Sequence, residues 1–248
     1  NHFVPETKNI ETIKGIDNFL KIYKNSKRPI ILAGNGVRLS GSIDKLREFS
    51  KNNNIPCVVS YLAIDYFEQD NANYVGRLGI KGDRAGNFAV QNSDLIICLG
   101  SRLSVCLTGF EYDLFARSSK LVVVDIDEKE HKKNTVSIDH FINSDVGKFL
   151  EEIQHKVEKK QLGDWQKKCI NWKNKWPVYQ KGYDLNSVNM YEFIKALSEL
   201  SREDSIVISD AGSSYYVTAQ SFTLKNIKQR HITSGAQADM GFTLPAAI

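Results

Sequence analysis

Three stretches of this 248-residue chain carry glycines or carboxylates in arrangements that could meet a phosphate or a nucleotide. In "GNGVRLSG", Gly34 and Gly36 follow an apolar run and let the chain turn tightly, at the kind of strand end where ligands of open α/β sheets sit. The third glycine comes too late for the close helix packing of a dinucleotide fingerprint, and the next apolar run ends in Ser60 with no acidic side chain to hold a ribose. "GRLGIKGDRAGNFAV" places Gly76, Gly79, Gly82 and Gly86 ahead of a short helix. It reads either as a cradle for a phosphate or flavin or as an irregular loop. "VVVDIDEKE" ends a buried strand with Asp125 and Asp127, which can accept hydrogen bonds from a ribose or cap the following backbone.

Other chemistries are disfavoured. Cys57, Cys98, Cys106 and Cys169 form no C-x-x-C and read as buried free thiols of a reducing, cytoplasmic setting. His2, His131, His140, His155 and His231 form no H-E-x-x-H and no cluster with cysteine, so no zinc site is expected. A balance of 33 basic against 29 acidic residues is a mild solvation effect and no footprint of a nucleic-acid partner. The longest apolar runs are strand-length, far below the ~20 residues of a membrane helix.

The elements that would position these groups follow from periodicity. Ile10, Ile13, Ile16, Phe19, Leu20 and Tyr23 predict an amphipathic helix over 10–23. "RPIILA", "IPCVVS", "DLIICLGS" and "KLVVVDID" predict strands buried on both faces of a parallel sheet, with a serine-capped helix carrying Ile43, Leu46 and Phe49 between the first two. The first domain is therefore α/β, over roughly 1–160. Phe149, Leu150, Ile153 and Val157 predict a helix whose periodicity runs on through Trp165, Cys169, Trp172 and Trp176, giving a connector over 161–185 with its tryptophans as packing residues. Over 186–248 a second α/β pattern begins, with a helix stripe of Tyr191, Ile194, Leu197 and Leu200 and the strands "SIVIS" and "RHITS". Two strands and two helices cannot close a doubly wound sheet, so only the opening of that domain is expected. The apolar Leu244, Ala246, Ala247 and Ile248 then read as a packing face in need of a partner.

In this order, "RPIILAGNGVRLSG", "NNNIPCVV", "GRLGIKGDRAGNFAVQNSDLIICLGSRLS", "VVVDIDEKEHKKN", "INSDV", "ISDAGSS" and "SGAQADMGFTLPAAI" resemble the thiamine-diphosphate-dependent enzymes of the acetolactate synthase type. The resemblance covers nearly the whole chain. It implies a Rossmann-like, parallel-sheet middle domain that often binds FAD, followed by an incomplete thiamine-diphosphate-binding α/β domain. The family's flavin positions fall on Gly79, Lys81 and Gly82, on Arg102, on Asp125, Ile126 and Asp127, and on Asp145 and Val146. Where the synthases carry G-x-H-G-T this chain has Gly79-Ile80-Lys81-Gly82-Asp83, and the acidic-arginine extension beyond Arg102 is missing.

For the thiamine cofactor, the resemblance assigns the diphosphate to Gly212, Ser213 and Ser214, where synthases more often carry Gln and His. Glycine and hydroxyls at a strand-to-helix junction suit a phosphate. Met240 matches the apolar wedge that holds thiamine bent, so the protein supplies orientation and the cofactor the chemistry. Ala238, where the family has glycine, would present a backbone carbonyl to the aminopyrimidine, with Asp239 beside it. The resemblance places the activating glutamate in an upstream domain and the Mg2+ motif beyond Ile248, so no metal ligand is expected within the chain and the chain alone is expected to be inactive. It further implies decarboxylation of a small 2-oxo acid such as pyruvate with transfer of the acyl unit to give acetolactate, as in branched-chain amino acid biosynthesis, by a homodimer or homotetramer. Oxalyl-CoA decarboxylases, aldehyde lyases and sugar-modifying flavoenzymes are related alternatives, and a non-catalytic nucleotide-binding module is a rival of another class.

Overall fold

The computed structural model describes residues 13–179, 187–235 and 237–248. Runs without a polar face have no side to set against water, and they become the interior of a sheet. Pro29–Ala33 (β1), Cys57–Val59 (β2), Tyr74–Arg77 (β3), Leu95–Leu99 (β4), Lys120–Asp125 (β5) and His140–Asn143 (β6) pair in parallel, in the order β3-β2-β1-β4-β5-β6. The connecting helices are Ile16–Asn25 (α1), Gly36–Leu39 (α2), Ile43–Asn53 (α3), Arg84–Asn92 (α4), Val105–Thr108 (α5), Val146–Ile153 (α6) and Gly163–Lys175 (α7).

Strand alternation divides the core into two layers. Ile31, Ala33, Ile97, Leu99, Val122 and Val124 face Phe19, Tyr23, Leu46, Phe49, Phe149 and Ile153 from α1, α3 and α6. Ile30, Leu32, Ile96, Cys98, Leu121 and Val123 face Ala85, Ala89 and Val90 of α4 and Trp165 and Cys169 of α7. At about 1.5–3 kcal/mol for each large side chain removed from water, these two layers dominate the stability of the sheet.

Three expectations need correction. Helix α1 begins at Ile16 and not at residue 10: Gly15 adopts a left-handed φ of 91°, its carbonyl meets His140 Nε2 at 2.8 Å, and Ile13 is buried ahead of the helix. Residues 10–12 lie outside the described residues. The helix predicted to continue from Val146 through the tryptophans is two helices, α6 and α7, because "KVEKK" has no apolar face to carry it. Lys160 in the gap turns back instead, and its Nζ donates to the carbonyls of Tyr23, Lys24 and Ser26 at the end of α1. Cys106 is exposed on the single turn α5, whereas burial holds the thiols of Cys57 and Cys169 up at about 12.

Beyond α7 come Met190–Leu200 (α8), Ile206–Ser209 (β7), Gly212–Ser221 (α9), Arg230–Thr233 (β8) and Thr243–Ala247 (α10), with β7 and β8 paired in parallel. Ile194, Val217, Phe222 and Leu224 form a small core there, while Phe193, Leu197, Leu200 and Ile206 remain exposed.

The strand order reverses between β1 and β4, and there the turns that follow the two strands touch backbone to backbone. Gly34 N donates to Leu99 O at 2.8 Å and Gly36 N to Gly100 O at 2.9 Å. A Cβ on Gly100 would lie 2.5 Å from Gly36 Cα, and Gly100 has a φ of +57°. Gly100→Ala is therefore expected to lose about 2–5 kcal/mol in urea unfolding, from left-handed strain plus overpacking. Gly41→Ala, with a φ of +65° and nothing within 4 Å of the added methyl, is expected to lose only about 1 kcal/mol; equal losses would remove the close approach as the cause.

Candidate functional site

The positions expected to meet a nucleotide lie on the loops that follow β3, β4, β5 and β6, all at the carboxyl edge of one parallel sheet. In open α/β sheets this edge, next to the reversal of strand order, is where ligands bind. The glycine-rich loop after β3 is closed by an ion pair. Arg77 Nη2 lies 2.6 Å from Asp83 Oδ1, its Nε lies 3.1 Å from Oδ2, and Arg77 N donates to Oδ2 at 2.9 Å, with both side chains nearly buried.

Several glycines of the run serve that closure. A Cβ on Gly76 would lie 2.3 Å from Asp83 Oδ2, and one on Gly82 or Gly86 would lie 2.5 or 2.3 Å from Arg77 O. Gly79 is held by Asn87, which donates to its carbonyl and accepts from its amide, both at 3.0 Å. Of the two readings of this stretch, the structure favours a packed loop whose glycines admit neighbouring protein atoms. Lys81 leans out of it, with Nζ 4.8 Å from the centroid of the Tyr216 ring.

Arg102, largely exposed, donates from Nε to Glu130 Oε1 at 3.1 Å, and Lys133 Nζ reaches the same oxygen at 2.5 Å, so two cations share one carboxylate at the mouth of the edge. The two aspartates at the end of β5, Asp125 and Asp127, both take up backbone amides. Asp125 Oδ1 accepts from Asp127 N, and Asp127 Oδ1 accepts from Lys129 N and Glu130 N, each at 3.0 Å. Between them Ile126 is 62% exposed. Asp145 caps α6 by accepting from Lys148 N at 3.1 Å, and Val146 is buried in the core.

The second group of expected residues surrounds the start of α9. Gly212, at a φ of +63° with open space beside it, and Ser213 and Ser214 are exposed at the first turn of this ten-residue helix, where amides and the helix dipole point outward. Met240 is 91% exposed and Asp239 is exposed beside it. Ala238 has a φ of +60°, a left-handed conformation that suits glycine better than alanine. Sequence reasoning missed Asp210, which joins the two stretches: its carboxylate accepts from Ala211 N at 2.7 Å and from Gly241 N at 2.9 Å. Burial pushes the Asp210 carboxyl up, but amide donors from Ala211, Gly241, Thr243 and Phe242 outweigh it and hold the group below its ordinary value.

A second missed residue, Asp65, is almost fully buried and ties the two groups of elements together. It pairs with Arg38 of α2 and with Arg230 Nε of β8 at 2.8 Å, and accepts from His231 N at 3.2 Å. Its partners lie 27 and 165 residues away in sequence, a distance at which no local pattern reveals a pair. Beside it, His231 Nε2 lies 2.7 Å from Ser209 Oγ inside the smaller sheet. Among the described residues no three His, Cys, Asp or Glu side chains are grouped to hold a metal ion, and no helix is long and apolar enough to cross a membrane.

Comparison with known proteins bears on both halves. The family described as "Thiamine pyrophosphate enzyme, central domain" matches residues 16–153. The acetolactate synthase large subunit of Lactococcus lactis subsp. lactis is 33% identical over 224 residues, which is 90% of this chain and 38% of that protein. The acetolactate synthase large subunit of Buchnera aphidicola is 31% identical over 94% of this chain and 41% of its own length, and the large subunit of isozyme 2 of Escherichia coli is 28% identical over the same shares. The chain thus spans about 40% of the length of these curated relatives.

Burial pulls the His231 pKa from 6.5 to about 4, with Asp65 opposing the shift. Between these values the unfolded chain binds a proton that the native state does not, so stability falls as pH drops from about 6.5 toward 4. From pH 7.5 to 5 this group is expected to remove about 2 kcal/mol. His231→Gln should flatten that limb in denaturant titrations, and an unchanged slope would show that the titration lies elsewhere.

Proposed function

As a chain that belongs to the thiamine pyrophosphate enzymes, this one is, we propose, part of an acetolactate synthase-type enzyme that decarboxylates pyruvate or a related 2-oxo acid and joins the acyl unit to a second carbonyl compound. The observation that carries this reading is the extent of the likeness to the synthase large subunits. It covers 90% of the chain or more, well past residue 153 where the central-domain match ends.

The residues around α9 fit a thiamine diphosphate. Gly212, Ser213 and Ser214 leave an exposed helix start with room beside the glycine, suited to a phosphate by amide donation and by the helix dipole. Met240 has no core to fill, which suits a side chain that packs against a cofactor. Asp210 holds the backbone at Gly241 against the start of α9, and so fixes where Met240 sits relative to the diphosphate site. When bound, the cofactor supplies the carbanion-stabilising ring, and the protein's share is orientation.

For FAD or an adenine nucleotide, support comes from the shared sheet edge, from the positive charge at Arg102 and Lys133, and from the exposed Ile126 as an apolar contact. Gly79, Lys81, Gly82, Asp125, Asp127, Asp145 and Val146 act mainly as the frame of that edge. Homodimers or homotetramers complete the proposal.

Two measurements test it. The protein of the complete open reading frame, supplied with thiamine diphosphate and Mg2+, is expected to consume pyruvate and release acetolactate; no turnover of any 2-oxo acid would sink the reading. Met240→Ala is expected to lower kcat by about 10²-fold through lost orientation while leaving the melting temperature unchanged, because the side chain is 91% exposed. Flavin absorbance in the purified protein decides the middle-domain cofactor.

A further inference from the structure

Between the β3 edge, the end of α7 and the chain leaving α9 lies a cleft of about 710 Å3, whose lining includes Asp70, Asp83, Lys173, Gln220, Thr223 and Lys225. Its volume is that of a small-molecule site, and none of these residues is among the flavin or thiamine positions. Lys173 reaches it from α7. Its Nζ donates to the carbonyls of Gln69 at 2.5 Å and Tyr74 at 2.9 Å, and lies 4.8 Å from the centroid of the Tyr74 ring.

Those two bonds match a neutral amine, which has two N–H donors and a lone pair in the remaining tetrahedral direction. An ammonium carries a third N–H, for which the described residues supply no oxygen acceptor, although the face of the Tyr74 ring favours the charged form. Three charged groups act on the nitrogen. Asp83 at the start of α4 and Asp70 before β3 favour the ammonium, but Asp83 is already paired with Arg77 of β3, which opposes it. Lys225, on the same wall, donates to Glu199 O. Burial is the largest influence and brings the Lys173 amine down to about 8.

We propose that Lys173 is an acylation site, its amine presented to the cleft for small activated acyl donors of the acyl phosphate class. The Nζ lone pair attacks the acyl carbon and an N–C bond forms; the C–O bond to phosphate breaks, phosphate leaves with the electron pair, and the surplus proton on nitrogen passes to water. Thr223, which also lines the cleft, carries a hydroxyl that can donate to a phosphoryl oxygen. The amide product keeps one N–H and no charge, so one of the carbonyls of Gln69 and Tyr74 loses its partner and the hold of α7 on the β3 edge weakens.

The intact protein is treated with acetyl phosphate across about pH 6.5 to 10, and each lysine is followed by peptide mass spectrometry. Modification of Lys173 is expected to level off above about pH 8 and, at pH 7.5, to run about tenfold or more faster than at the exposed Lys21 and Lys167. A Lys173 that stays unmodified, or whose rate follows the same pH profile as those two, overturns the proposal. Lys173→Gln should speed hydrogen exchange in α7, whereas Lys173→Arg, which keeps charge and donors, should preserve protection. Equal protection in the two variants would overturn the weakening.

Discussion

The buried ion pair between Arg77 and Asp83 is the interaction on which the layout of the molecule turns. Burial by itself would pull the guanidinium toward neutrality, and Asp83, together with Tyr74 and Tyr215, more than reverses this. An unpartnered charge at this depth would cost several kcal/mol. The pair reaches in three directions. It shapes the loop after β3 and sets which residues there must be glycine; through Arg77 Nη2 it bonds Gln220 O of α9; and it stands beside Lys173 of α7. Gln220 returns the contact by donating to Lys81 O at 2.9 Å, so loop and helix are held at two points.

How much of this was legible follows from what each element is made of. β1, β4 and β5 announce themselves as apolar runs because both faces of a parallel strand are buried. β3 does not: "YVGR" is as buried as the others, but its last position is an arginine neutralised by a partner six residues on. β6, at the sheet edge, has only one fully buried residue, Ile142, and no run to read. The break between α6 and α7 was hidden because apolar residues resume in phase after it. After α6 ends at Ile153 the intervening segment is tied down at Lys160 by three carbonyls at the end of α1, a tertiary contact.

The site divides along the same line. Positions read from ordered motifs do cluster, at the sheet edge and at the start of α9, but the motifs could not separate residues that face solvent from those that hold the frame. Ile126 and Met240 are exposed, whereas Val146 is core and Asp145 a helix cap. The motifs gave no role to Asp65, Asp83, Lys173, Asp210 or His231, since each acts through a partner fixed only by the fold. The cysteines illustrate the limit in miniature: three lie in the core and Cys106 on the surface, because a single helical turn offers little to bury against.

Asp65 bears on the order in which the chain can assemble during synthesis. The last strand of the six-stranded sheet ends at Asn143 and the helix that covers it at Ile153, so every element of that layer has left the ribosome long before Arg230 does. Through that interval Asp65 has Arg38 alone as its ionic partner, and the carboxylate's second lone-pair face waits for a residue not yet made. In chain order, the joint between the two sheets therefore brings a segment made later onto a layer whose elements are all made before it.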